Sequence, residues 1–109
     1  MGLTRRMLPK LSLCAILFVL RLNPASAADA EHGKTIAERW CSGCHVVQSK
    51  QKAGATDQAP PFVTIGKTPD FNAGKLAVLL LKPHPNMPKL SLSRSEVVDL
   101  AEYIRALSR

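Results

Sequence analysis

The sequence predicts an all-α domain of three to four short helices, and three observations carry that prediction. Apolar residues recur at helical spacing at both ends of the domain, at positions 36, 37 and 40 and again at 97, 100, 101, 104 and 107. The second of these runs follows Ser93-Arg94-Ser95-Glu96, a capping-box pattern. The third observation is Cys41-Ser42-Gly43-Cys44-His45. It places two thiols one helical turn apart and an imidazole immediately after them, in a chain that begins like an exported one. C-x-x-C-H in that setting is an attachment site for c-type haem. The helices are therefore expected to wrap one covalently attached haem.

The first 28 residues are read as a signal peptide, with the domain at 29–109. Arg5, Arg6 and Lys10 precede an apolar run at 11–20, and Ala25-Ser26-Ala27 supplies small residues for cleavage. The run is short for a membrane span and is interrupted by Arg21 and Pro24. A retained anchor is the alternative. Cys14 follows Leu13, where a lipoprotein site needs a small residue, so it is expected to leave with the signal. Removing residues 1–28 takes four cations and no anion from a chain of formal charge +7, leaving +3. The basic excess that would suggest nucleic-acid binding belongs mostly to the leader. Export implies an oxidising compartment, the periplasm in a Gram-negative bacterium, with no stable membrane insertion after signal removal.

Within the domain, Asp29 is placed to cap a helix running through Gly33, Ile36, Ala37 and Trp40 into the motif. Gly33 weakens such a helix unless another crosses it closely, and Trp40 is expected to pack in the core. The thiols have two other possible uses. A zinc site lacks further cysteines once Cys14 is gone, and a thioredoxin-like dithiol lacks a βαβ context. Residues 48–58, with Lys50, Lys52 and Gly54, read as a surface loop. Ala59-Pro60-Pro61-Phe62 ends it. Prolines keep their carbonyls while lacking donors, so a rigid carbonyl here is suited to accept the Nδ1 proton of His45, with Phe62 and Ile65 over the haem face.

Thr68-Pro69-Asp70 is a helix-start signal, with Asn72 as a competing cap. Residues 76–81 are expected to form a buried helix, a buried strand being the alternative. Residues 82–89 contain three prolines and form a stiff loop that carries Met87 and His84. Given a haem with His45 on one side, Met87 is the expected second axial ligand; a His45/His84 pair is the rival, and would give a lower potential. The last helix follows the Ser93 cap, with Arg105 and Arg109 at its C-terminal end, where the helix dipole favours cations. About 80 residues bury only a modest core, and the haem is expected to fill the interior that side chains cannot.

From Gly33 to Arg109 the chain resembles a small class I cytochrome c, and the resemblance implies the cytochrome c fold. It further implies that Gly33 crosses Tyr103 of the last helix, that the carbonyl at Pro60 receives the histidine proton, and that Met87 is the methionine ligand. Cys41 lies too early in the domain for the cytochrome c-prime bundle. The stretch from Pro60 to Met87 is short for a mitochondrial member, which should leave more of the haem edge exposed. The expected function is a one-electron carrier, not an enzyme. Acids sit on the terminal helices (Glu31, Glu38, Glu96, Asp99, Glu102) and lysines in the middle (Lys50, Lys52, Lys67, Lys75, Lys82, Lys89), so redox protein partners with acidic patches are expected. A lysine-rich solvated surface without a partner role is the plain alternative. Two other functional classes remain: a haem with a weak or open sixth position that binds a small ligand or reduces peroxide, and a subunit of a larger dehydrogenase.

Overall fold

The computed structural model describes residues 27–51, 59–82 and 86–109. The signal peptide apart from Ala27 and Ala28, and with it Cys14, lies outside the described residues, as do Lys52, Gly54 and His84. Among the described residues the regular structure is four α-helices: α1 (Ala30–Trp40), α2 (Phe62–Gly66), α3 (Ala73–Leu81) and α4 (Arg94–Leu107).

Each helix starts for a local reason. The carboxylate of Asp29 accepts from the backbone N–H groups of Glu31 and His32, two donors that have no partner inside α1. At α4 the capping box is complete. Ser93 Oγ accepts from Glu96 N (3.3 Å) and the Glu96 carboxylate accepts from Ser93 N (2.7 Å), which holds that carboxyl below the usual range. The start of α3 is settled by backbone conformation. Asp70 has φ 57°, a left-handed value no first helical turn accepts, so residues 68–71 form a turn and the helix begins after Asn72. Asn72 Oδ1 accepts from Lys75 N (3.0 Å), and its Nδ2 donates to Asp70 O (2.9 Å). Helix α2 is a single short turn after Pro61, and the sequence alone did not indicate it.

The core lies where α1 crosses α4. Ile36 and Ala37 meet Val97, Leu100, Ala101 and Ile104, with Val47, Phe62, Leu76 and Tyr103 closing the cluster. Gly33 permits the close approach. A Cβ there would press into the Asp99 carbonyl and lie 2.9 Å from Leu100 N. The tightest contact is thus with the Asp99–Leu100 peptide, one turn before Tyr103. Polar groups fasten the same crossing from outside. Asp99 accepts from Asp29 N (2.8 Å) and pairs with His32 Nδ1 (2.8 Å).

Two expectations about burial do not hold. Trp40 is 51% exposed, with the Arg39 guanidinium 5.0 Å from its ring centroid. Trp40 shares the azimuth of Ile36 and Ala37 but is the last residue of α1, so its exposure follows from its position along the helix axis and not from the helical repeat. Helix α3 is not wrapped on all sides either: Leu76 is buried, whereas Val78, Leu79 and Leu81 are exposed.

Candidate haem site

Helix α1 hands the chain directly to the motif. Cys41 N and Ser42 N both donate to Ala37 O, and His45 N donates to Cys41 O (2.9 Å), so the five residues continue the helix as tight turns. Cys41 is buried and Cys44, one turn on, is exposed. Burial pushes the Cys41 thiol up to about 11, which keeps it protonated at neutral pH. A redox dithiol needs the opposite, a thiol whose acidity is raised by nearby positive charge.

His45 is buried, and its Nδ1 donates to the Pro60 carbonyl at 2.7 Å. A carbonyl only accepts, so the proton sits on Nδ1 and the ligating lone pair is on Nε2. Phe62 stands beside the imidazole, ring centroids 5.5 Å apart. The loop that carries the histidine is held by a side chain that motif reading overlooked. Gln51 Oε1 accepts from Val47 N (2.8 Å), while Nε2 donates to Ser42 O (3.0 Å) and His45 O (2.9 Å). One amide thus satisfies three backbone groups around the motif. Tyr103 ties the same loop to α4, its hydroxyl donating to Val47 O at 2.6 Å. A glutamine in a polar loop carries no sequence signal for such a role.

His45 opens onto a cleft with room for about 190 Å³. Its walls are Phe62 and Ile65 of α2, Leu76, Leu79 and Leu80 of α3, and Leu100 and Ile104 of α4. Cys41, Pro60 and Met87 also line it, and Lys82 is the cation of the lining. Asn86, at φ 71°, turns the chain just before Met87. The cleft therefore brings together Cys41, His45, Pro60 and Met87; Cys44 follows Cys41 on the same turn, outside the lining.

An apolar slot with a thiol and a buried imidazole in its wall and a thioether side chain in its lining fits a flat, apolar, iron-bearing ring. The protein is of the kind that carries a covalently attached haem. A profile of the Cytochrome c family matches residues 30–108. Cytochrome c-552 of Bradyrhizobium diazoefficiens is 45% identical over 96 residues, which span 87% of this chain and 91% of that protein. No solved structure matches the chain. The chain belongs to the cytochrome c family: an all-α haem c protein that carries electrons, with Cys41 and Cys44 spaced as in C-x-x-C-H. No helix among the described residues is long and apolar enough to cross a membrane.

Proposed function

We propose that this protein is an exported, periplasmic one-electron carrier whose haem is bonded to Cys41 and Cys44 and whose iron is held by His45 and Met87. The observation that carries the reading is that His45, oriented by the Pro60 carbonyl, and Met87 line one apolar cleft. Bound there, haem supplies one-electron exchange between ferric and ferrous iron. The chain does the rest. The hydrogen bond from Nδ1 to Pro60 O fixes the imidazole ring and strengthens Nε2 as a donor. Met87 contributes a soft ligand that favours the ferrous state and raises the potential. The apolar walls exclude water and lower the local dielectric. With His45 and Met87 both holding the iron, no coordination position would be left for a substrate, and the protein would turn nothing over. Residues 1–28 are removed on export, and the partners are redox proteins with acidic patches.

The test is the optical spectrum of protein matured in a haem-attaching host, for wild type and Met87→Ala. The oxidised wild type should show the weak near-infrared sulfur-to-iron band, and the variant should lose it. A spectrum without the band and unchanged by the substitution would remove Met87 from the iron. Carbon monoxide binding to the reduced wild type would then point to an open site, and its absence to His84.

A further inference from the structure

Helix α3 turns an apolar surface outward. Val78 and Leu81, outside the lining of the haem cleft, are 58% and 74% exposed, on a helix otherwise apolar enough to be a core element, while Leu79 beside them also lines that cleft. Contiguous exposed apolar surface on a small protein marks a place that something covers. The charges around it are mostly of one sign. Between residues 59 and 93 the cations are Lys67, Lys75, Lys82 and Lys89 and the one acid is Asp70, whose carboxylate lies 3.8 Å from Lys75 Nζ. At α1 and α4 the acids gather, with Glu102 holding Arg105 and Arg109.

The patch also has shape. A shallow depression between the turn at residues 68–71 and α3 is lined by Pro69, Phe71, Lys75, Val78 and Leu79. Leu79 lines the haem cleft as well. A side chain seated in the depression would therefore be one residue away from the cofactor space. Trp40, another large exposed apolar residue, lines neither cavity and lies under the Arg39 guanidinium, with Glu38 two residues before it.

We propose that the outer face of α3, centred on Val78, Leu79 and Leu81 and bordered by Lys67, Lys75 and Lys82, is the surface on which a redox protein docks. The partner presents an apolar patch rimmed by carboxylates. This rests on the carrier reading above and adds where the partner sits. Lysines at the rim steer the encounter, and the apolar centre holds it.

The probe is a gold electrode coated with a mixed monolayer of carboxylate- and methyl-terminated thiols, and the readout is the interfacial electron-transfer rate of the haem-loaded protein. Val78→Ser/Leu81→Ser should slow transfer about tenfold, the loss expected for two central apolar contacts. Its midpoint potential and far-ultraviolet dichroism should match wild type. Lys67→Glu should slow transfer at low salt and converge on wild type at high salt, and it tests the rim should the double variant fold poorly. Trp40→Ser should behave as wild type. If Trp40→Ser is slow and both α3 variants are normal, the docking face lies on α1, although an acidic partner remains. If the wild-type rate ignores ionic strength, the acidic-partner reading itself fails. Binding to phosphatidylglycerol vesicles that Val78→Ser/Leu81→Ser abolishes would replace the protein partner with a membrane surface.

Discussion

The α1–α4 crossing and the α2–α3 side of the molecule are built on different terms. At the crossing, side chains do all the filling. Ala37, Leu100, Ala101 and Ile104 are no more than 1% exposed, and Gly33 lets the backbones nearly touch. On the other side α2 is five residues long, α3 buries one leucine, and a cleft of about 190 Å³ lies between them and α4. The first region carries its own packing; the second is a wall shaped for something else. Haem in this fold would therefore complete the core on that side as well as serve as a redox centre.

The largest effect should come from withholding the haem. Chain made without it should show no cooperative thermal transition, because ligand binding and folding are one equilibrium when the ligand completes the core. A sharp melting curve from haem-free protein would mean that the crossing alone suffices to fold the domain. Next is Gly33→Ala in the haem-loaded protein. The added methyl would force α1 off α4 and cost about 3 kcal/mol by chemical denaturation. Gly43→Ala has nothing within 4 Å of its Cβ and serves as the control, expected within about 0.5 kcal/mol of wild type.

Gln51→Leu should fall below Gly33→Ala, at about 2 kcal/mol, because it leaves one N–H and two carbonyls of the attachment loop without their amide. Gln51→Glu keeps only the acceptor for Val47 N and should lie between. A wild-type denaturation midpoint in both would show that the loop is held by the haem alone.

The smallest effect is electrostatic. The hydrogen bond to Asp99 raises His32 above its ordinary 6.5, and the same bond lowers Asp99 below its ordinary 3.8. His32 stabilises the fold fully below 6.5, and that contribution fades as pH rises through the raised value. Asp99 contributes above 3.8, and its share fades as pH falls through the lowered value. Stability should therefore hold across the window between them and decline on the alkaline limb. His32→Gln should flatten that limb. The imidazole is exposed, so added salt should shrink the difference.

What could be read from sequence was chemistry confined to a few neighbouring residues. Asp29 and Ser93 cap helices with atoms two or three residues away, and the C-x-x-C-H spacing is itself local. Outcomes decided by competition or by distant partners were not readable. Thr68 and Asn72 offered rival starts for α3, and the positive φ of Asp70 decided between them. The apolar run at residues 76–81 looked buried on every side. It is apolar because one side lines the cleft while another stays uncovered, a division that composition cannot report. Gln51 acts through three hydrogen bonds whose partners are visible only once the loop is folded. Trp40 was misjudged because apolar character at helical spacing names a face without saying how far along the helix that face stays covered.

The bonds around the motif differ greatly in the chain length they span. Gln51 reaches partners four, six and nine residues away. Tyr103 reaches 56 residues back to Val47, and Asp99 meets His32 and Asp29 across 67 and 70. Short loops close in well under a microsecond, whereas long ones wait on the chain between. As the exported chain folds, then, the attachment loop can take its curve before α4 has docked. Until α4 arrives, α1 has nothing to lie against and Cys41 nothing to bury it. The fold thus leaves Cys41 open early and shuts it away at the end, an order of events that suits a cofactor that must be bonded before it is enclosed.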